Sequence, residues 1–365
     1  MLAEKRSVLD NKFVCAVLFV TFLYLFLLSI QLMGGSFKYF GKGLAETLLT
    51  TTSNPFTGLF IGLLSTALVQ SSSTTTSIVV GLVAAGGIEM HSAIPIVMGA
   101  NMGTTVTNTI VSLGHISRRD EFQRAFAASV VHDVFNVLAV LVIFPLQYYT
   151  GFLEHIAVYF EEMLINVGGA TFSSPLKAIT KPAASYVSEL LGKNAWLILI
   201  VSFVLLFLGL RYMVVYMKAL IMDKAEVIFE HTIFKTSLHG LLFGILLTAL
   251  VQSSSVTTSL IIPLAGAGMI RIDKVFPYTM GANIGTTITA MLASLATGNP
   301  SALAVAMSHL MFNICGILIF WWVPFIPISI AGKIAAFTAR NRSYALVYIL
   351  IVFFALPLSV IYLMR

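Results

Sequence analysis

Long, uninterrupted runs of apolar residues follow one another along almost the whole chain. A bilayer core of about 30 Å requires roughly 20 apolar residues in a helix. The runs are continuous and lack the alternation with period two that is typical of barrel strands. They therefore predict membrane-spanning helices, in which every backbone hydrogen bond is made internally. Seven runs are predicted to be full crossings: Phe13–Met33, 95–114, 125–146, 195–217, 275–296, 302–325 and 344–364.

Two further apolar stretches, residues 55–88 and 237–270, have a different pattern. Each is interrupted near its middle by a cluster of hydroxyl and amide side chains, so neither half is long enough to cross the bilayer comfortably. Broken hydrophobic segments at matching positions indicate re-entrant helical hairpins, which are tolerated where they line a cavity inside the protein. The pattern predicts an all-α polytopic membrane protein with about seven crossings and two re-entrant hairpins.

Composition and charge support this fold class and add an orientation. Of the 365 residues, 58% are hydrophobic and only 10% are charged, whereas about 25% are charged in soluble domains. With both hairpins entering and leaving on one side, most of the 21 lysines and arginines lie on the side of the N-terminus, as the positive-inside rule requires. We expect a multi-pass protein of the cell (inner) membrane, embedded in the lipid bilayer, with a cytoplasmic N-terminus, an external C-terminus and no nucleic-acid partner.

The two broken stretches belong to an internal repeat. Residues 58–108 align without a gap with residues 240–290, and more than half of the aligned positions are identical. Further on, His-Asp-Val-Phe-Asn at 132–136 matches His-Leu-Met-Phe-Asn at 309–313. Three crossings per copy would place the second copy upside down relative to the first, the inverted-topology repeat of many secondary transporters. The predicted parts are a first repeat at 1–146, an external linker at 147–194 with an interfacial helix near 152–166, and a second repeat with a final span at 195–365.

The polar clusters carry the candidate chemistry. Each contains Gln-Ser-Ser-Ser, and each is followed by Gly-Ala-Asn-x-Gly-Thr-Thr. Hydroxyl, amide and freed backbone oxygens are hard ligands that suit sodium. Hydroxyls and the N–H groups at the start of a half-helix donate hydrogen bonds to an anion. No lysine or arginine lies within the clusters, so sodium ions would have to offset the charge of a bound oxyanion. Helix packing by small polar residues would explain one such cluster, but explains two near-identical ones poorly.

Asp133 is the only acidic residue inside a predicted full span. A carboxylate within the membrane is a functional hypothesis by default, although the equivalent position of the second copy is Leu310. The alternative is a carboxylate near the inner interface beside Arg124. His132 and His309 are either proton carriers or histidines that are hydrogen-bonded in the helix interior.

The paired motifs, together with Glu121-Phe122-Gln123-Arg124-Ala125-Phe126 leading to His132-Asp133, resemble the type II sodium–phosphate cotransporter family, in particular a bacterial member. The resemblance covers residues 12–146 and 195–365. It implies sodium-driven import of inorganic phosphate by alternating access, and a homodimer. An aspartate at position 133 accompanies electrogenic transport in that family, with three sodium ions per divalent phosphate.

The resemblance also implies site residues. It places phosphate between the two hairpin tips, at Gln70, Ser71, Ser72, Ser73, Gln252, Ser253, Ser254 and Ser255. The sodium candidates, by motif match and oxygen chemistry, are Asn101, Thr104, Thr105, Asp133, Asn136, Asn283, Thr286, Thr287 and Asn313. Sodium ions are expected as co-transported ligands, and no cofactor is expected.

Two other functions are weighed against this one. A sodium-coupled symporter for another small anion, such as sulfate or a carboxylate, would use the same architecture, and only the family resemblance favours phosphate. An enzyme is disfavoured because the sequence contains no His-Glu-x-x-His, Gly-x-Ser-x-Gly or phosphate-binding loop. We therefore expect a transporter and not an enzyme.

Overall fold

The computed structural model describes residues 11–40, 54–166, 175–232, 236–341 and 343–364, and this part of the chain is helical almost throughout, with no strand. The first half contains α1 (Lys12–Phe40), α2 (Pro55–Val69), α3 (Ser72–Ala84), α4 (Met90–Gly103), α5 (Val106–Ser112), α6 (Arg119–Thr150), α7 (Phe152–Asn166) and α8 (Pro175–Leu190). The second half contains α9 (Ala195–Thr232), α10 (Ser237–Val251), α11 (Ser254–Ser259), α12 (Ile261–Gly266), α13 (Ile272–Thr297), α14 (Pro300–Phe320), α15 (Phe325–Thr338), α16 (Ser343–Leu350) and α17 (Leu356–Leu363). The all-α prediction is confirmed.

Five helices in the described part are long and apolar enough to cross a membrane, which makes this a multi-pass membrane protein. They are Lys12–Ser36, Arg119–Thr150, Ala195–Met217, Pro300–Phe320 and Ser343–Leu363. The last of these includes a π-helical segment, Ile351–Ala355, between α16 and α17. The other two predicted crossings, 95–114 and 275–296, fall in α4–α5 and α13, which are rich in small and hydroxyl residues.

Both broken stretches fold as two helical segments separated at the polar cluster. In the first hairpin α2 ends at Val69 and α3 begins at Ser72. In the second hairpin α10 ends at Val251 and α11 begins at Ser254. The polar cluster thus lies at the turn of each hairpin, as the pattern predicts.

Glycines bring the first arm of each hairpin against the helix that follows the hairpin. A methyl group on Gly99 of α4 would lie 1.8 Å from the carbonyl oxygen of Leu59 in α2. In the second copy, a methyl group on Gly281 of α13 would lie 2.0 Å from the carbonyl oxygen of Leu241 in α10. Such backbone-to-backbone contact is characteristic of close helix pairs in membranes. It fixes the tip of each hairpin relative to the Gly-Ala-Asn-x-Gly-Thr-Thr motif.

The long helix α6 lies in the largest apolar core. Its side chains Phe122, Phe126 and Phe135 are at most 1% exposed and pack among residues of both hairpins and of α13 to α15. Helices α1 and α9 form a separate close pair, in which Gly209 approaches the backbone of Phe26. This α1/α9 pair packs against the bundle through a second apolar core.

Three features differ from, or add to, the sequence prediction. The predicted crossing at 95–114 is broken at Thr104 and Thr105, where α4 ends before α5 begins. A short helix, α15, fills the interval between the last two predicted crossings. The linker contains α7 where the interfacial helix is predicted, and it contains α8 as well.

Candidate functional site

The two hairpin tips have nearly the same backbone conformation. Gln70 has φ 56° and ψ 30°, and Gln252 has φ 59° and ψ 26°, both in the left-handed region. This region is uncommon for a residue other than glycine, and such conformations cluster at functional sites. The turn is closed by the N–H of each glutamine, which donates to the carbonyl of Thr66 or Thr248 at 2.7 Å. The sequence repeat is therefore a structural repeat at the tips.

The serine after each glutamine caps the next helix. Ser71 is extended, and its Oγ accepts hydrogen bonds from the backbone N–H of Thr74 at 3.2 Å and from the hydroxyl of Thr74 at 2.8 Å. Ser253 is also extended, and its Oγ accepts from the N–H of Val256 at 3.4 Å. The caps leave other N–H groups of the first turn directed toward the tip. The positive end of the α3 dipole favours a negative charge there.

Both tips line a single cavity of about 330 Å³. The tip residues in its wall are Gln70, Ser71, Ser73, Thr74, Gln252 and Ser253. Helix α9 contributes Phe207, Leu210, Arg211, Val214 and Val215. Of the predicted phosphate residues, Ser72, Ser254 and Ser255 do not line this cavity. Ser72 and Ser254 are buried and use their carbonyls to accept hydroxyl hydrogen bonds within the helix.

The two tip glutamines have different surroundings. Gln252 is buried, and its Oε1 accepts a hydrogen bond from the hydroxyl of Thr289 at 2.8 Å while its Nε2 donates to the carbonyl of Ala249. Gln70 is exposed. Thr107, which is the equivalent of Thr289, has a buried hydroxyl with no partner among the described residues. The side chain of Gln70 is thus available to a ligand in the cavity, whereas that of Gln252 is held.

Four predicted sodium residues meet in one buried amide network that joins the two copies. Asn101 donates to Asn313 at 3.0 Å and to Asn136 at 3.3 Å, and Asn283 donates to Asn136 at 2.7 Å. His132 bonds Asn283 at 2.6 Å, which places this histidine in the network rather than alone in an apolar interior. The four amides are at most 1% exposed. The side-chain oxygen of Asn136 accepts two of these bonds and so has both lone pairs occupied.

The four predicted threonines flank this network, two at the α4–α5 break and two on α13. Their hydroxyls donate to carbonyls of their own chain segment at distances of 2.7 to 3.2 Å. A hydroxyl that donates one hydrogen bond keeps two lone pairs. The oxygens of these four hydroxyls therefore keep acceptor capacity for a ligand: Thr104, Thr105, Thr286 and Thr287.

Asp133 lies apart from the amide network although it follows His132 directly. Adjacent residues of a helix do not face each other. The Oδ2 of Asp133 accepts hydrogen bonds from the hydroxyl of Tyr348 at 3.0 Å and from that of Thr109 at 3.4 Å. Its Oδ1 is buried and has no partner among the described residues. Arg124 donates instead to the carbonyl of Gly266 at 2.9 Å, so the structure does not support the alternative in which Asp133 accompanies Arg124.

The sequence comparison of the copies missed several polar residues because their equivalents are not polar. Asn108, aligned with Ala290, accepts from the hydroxyls of Thr258 at 2.9 Å and Ser259 at 3.1 Å and so ties the first copy to the second hairpin. Thr109 lies one position beyond the aligned region, where the second copy has Met291. Tyr348 lies in the final span, outside the aligned region. A search for polar residues within apolar runs, irrespective of symmetry, would have found all three.

These features define a multi-pass membrane protein in which two duplicated polar hairpin tips share a cavity next to a buried polar centre. The chain belongs to the Na+/Pi-cotransporter family, whose profile matches residues 25–170 and 205–361. The family membership expected from the paired motifs is confirmed.

Mammalian relatives cover almost the whole chain. It is 33% identical to sodium-dependent phosphate transport protein 2A of Rattus norvegicus over 436 residues, which is 98% of this chain and 68% of the relative. It is 35% identical to the 2A protein of Ovis aries over 422 residues, 93% of this chain and 66% of the relative. It is 33% identical to the 2B protein of Homo sapiens over 443 residues, 94% of this chain and 64% of the relative. The chain thus spans about two thirds of the length of these relatives. No solved structure matches it.

Proposed function

We propose that this protein is a sodium-coupled symporter that imports inorganic phosphate across the membrane. The observation that carries the proposal is the meeting of both Gln-Ser-Ser-Ser tips at one cavity. Family membership supports the cargo, because relatives that are about a third identical are named sodium-dependent phosphate transport proteins. Secondary transport fits such a site, since broken half-helices at the middle of a duplicated fold commonly bind substrate.

The cavity offers phosphate an array of hydrogen-bond donors. The hydroxyls of Ser71, Ser73 and Ser253 and the amide of Gln70 line it, whereas the Thr74 hydroxyl already donates to Ser71. A tetrahedral oxyanion can accept several such bonds at once, and bonds to a charged acceptor are roughly twice as strong as neutral ones. The N-terminal dipole of α3 adds to the attraction.

Sodium is proposed to bind at the hydroxyl-rich positions on α4–α5 and α13 and at Asp133. The unpartnered Oδ1 of Asp133 is a buried acceptor of the kind that calls for a bound ion or water. Three sodium ions with each divalent phosphate would move one net positive charge inward per cycle. Transport would then be electrogenic and would increase with an inside-negative potential.

The finer architecture belongs to the same proposal: seven crossings, two inverted repeats, a cytoplasmic N-terminus, an external C-terminus, alternating access and a homodimer. The sidedness is tested with single cysteines at two exposed positions, Ser185 and Ser343. An impermeant thiol reagent is expected to label Ser185→Cys from outside and Ser343→Cys only from inside. The opposite pattern would reject this topology.

Uptake of labelled phosphate into proteoliposomes tests the function directly. Sodium-driven uptake that grows with inside-negative potential is expected, with potassium replacing sodium in the control. Sodium-dependent uptake that is insensitive to voltage would reject the electrogenic stoichiometry and retain the symporter. If folded protein takes up no phosphate, competition among sulfate and carboxylates would identify another small anion.

The tip site is tested with Ser71→Ala and Ser253→Ala. Each variant removes a hydroxyl from the cavity wall, and a lost hydrogen bond to a charged group corresponds to about 1.5–3 kcal/mol. The apparent Michaelis constant for phosphate uptake should therefore rise at least about tenfold. Ser65→Ala is the matched control, because Ser65 lies in the same hairpin but outside the cavity wall. Wild-type uptake by both tip variants would reject the site.

A further inference from the structure

Arg211 occupies an unusual position for a basic residue in this chain. It lies in α9 and is the only charged residue of the membrane-spanning segment Ala195–Met217. Counted along the sequence, it contributes to the positive-inside bias. In the structure its side chain is exposed and lines the same tip cavity as Ser71 and Ser253.

Nothing acidic neutralises this guanidinium in the described part of the chain. The ion pairs there involve other bases, namely His91, His115, Arg118 and Arg271. An ionisable residue at membrane depth is costly, and such residues mark ligand pathways when they face a cavity. Among the described residues, the remainder of the cavity wall consists of hydroxyls, amides and apolar side chains, without a carboxylate. The cavity therefore combines one permanent positive charge with several hydrogen-bond donors, and an anion would satisfy both.

We propose that Arg211 is a direct ligand of the transported oxyanion and completes the site formed by the two tips. This inference rests on the proposed function and changes one part of it, because sodium ions are then not the sole compensation for the charge of phosphate. A guanidinium presents N–H groups in a planar fork that binds two phosphate oxygens at once. Three separate segments, the two hairpin tips and α9, would hold the anion.

The arginine site also predicts which charge state is preferred. A fixed positive charge stabilises a dianion more than a monoanion, because the attraction scales with the charge of the ligand. Binding of inorganic phosphate should therefore be tighter at about pH 8, where the dianion predominates, than at about pH 6, where the monoanion does. Arg211 should account for a measurable part of the ratio between the phosphate affinities at these two pH values.

The test measures equilibrium binding of labelled inorganic phosphate to purified full-length protein in sodium buffer at both pH values. Arg211→Gln should weaken binding at about pH 8 at least tenfold and should reduce the ratio between the two pH values. Arg211→Lys keeps the charge but not the fork, so it should keep the ratio and bind a few-fold more weakly. Arg340→Gln is the matched control, since Arg340 is exposed and lies outside the cavity wall.

The outcomes separate this inference from the proposed function. Unchanged affinity and an unchanged pH ratio in Arg211→Gln would overturn the role of Arg211, as would an equal loss in Arg340→Gln. If Arg211→Gln is not recovered as a monodisperse protein, folded Arg211→Lys decides: a preserved pH ratio supports the proposal, and complete loss of binding indicates a structural role and overturns it. A wild-type protein that binds sulfate or succinate but no phosphate refutes the phosphate assignment, and the Arg211 variants are then compared with that anion. If the wild type binds none of these anions, both proposals fail.

Discussion

The two copies have nearly the same backbone conformation at the hairpin tips and differ in the helices that follow. The tip residues Gln70 and Gln252 differ by only a few degrees in φ and ψ. After the tip, the first copy continues as one helix, α3, whereas the second is divided at Leu260 into α11 and α12. The Gly-Ala-Asn-x-Gly-Thr-Thr motif shows the reverse, since it ends a helix at Gly103 in the first copy and lies within the unbroken α13 in the second.

The two copies also differ in which polar side chains they contain. Asn108 of the first copy bonds to hydroxyls beside the break in the second hairpin, and its equivalent is Ala290. Asp133 is present in one copy only, where Leu310 is its equivalent. The shared feature, the tip, is what a symmetric anion site between two copies requires. The unshared features are polar groups that only one copy supplies, and under the proposed function Asp133 would provide a cation ligand without a second negative charge in the membrane.

The largest expected effect concerns the contact that both copies share. Gly99→Ala would place a methyl group 1.8 Å from the Leu59 carbonyl, and Gly281→Ala would place one 2.0 Å from the Leu241 carbonyl. Backbone atoms cannot move aside as the end of a flexible side chain can. Each change should therefore lower the free energy of unfolding by about 3 kcal/mol or more, which is the upper end of the usual cost of overpacking. Thermal unfolding in detergent measures the loss.

Gly332→Ala is the control for this pair, since a methyl group there meets nothing within 4 Å and alanine is the better helix former. Wild-type melting temperatures in both close-contact variants would contradict the packing described for the two copies.

The next effect concerns the carboxylate that only one copy has. Asp133→Asn should abolish the transport current while some phosphate uptake persists, because one negative charge that balances a cation is lost. The ratio of charge to phosphate, measured under voltage clamp, reports it. Tyr348→Phe removes a hydrogen bond to the carboxylate and keeps its charge, so its current should persist. An unchanged ratio in Asp133→Asn would exclude the carboxylate from the coupling.

The smallest effect concerns the two glutamines. Thr289→Val removes the hydroxyl that holds Gln252, a loss of about 1 kcal/mol, or about fivefold in the phosphate constant. Thr107→Val is its matched control in the other copy, where the hydroxyl has no described partner, and it should be nearly neutral. Equal effects of the two changes on labelled phosphate uptake would show that the glutamines are equivalent in the working protein.

Hydrophobic pattern and internal repetition predict much of this molecule. The all-helical class and the position of both hairpin turns follow from them, whereas Asn101, Asn136, Asn283 and Asn313 became candidates through the family resemblance. The hairpin turns are predictable because a polar cluster inside an apolar run is tolerated at membrane depth only where it faces protein or a cavity. The repeat then aligns the residues that meet at the centre.

The remainder depends on packing between segments that no local pattern links. Tyr348 reaches Asp133 from 215 positions further along the chain, and no repeat partner signals it. From the sequence, Arg211 is interpreted only as a positive residue that sets the orientation in the membrane. The structure shows that it lines the tip cavity. The break at Thr104 and Thr105 occurs in one copy only, although both copies have the same two threonines, so it is set by the surroundings rather than by the motif.

The amide network also has a consequence for biosynthesis. Asn101 and its partner Asn313 are 212 positions apart, and His132 and its partner Asn283 are 151 apart. Chains are made from the N-terminus, and earlier segments generally fold first. While the second half is still being synthesised, Asn101 and His132 of the first half therefore lack these partners. The hydrocarbon core of the membrane contains no water that could replace them. Completion of the network is therefore expected to be a late and favourable step in the folding of the nascent protein, which an interrupted chain lacks.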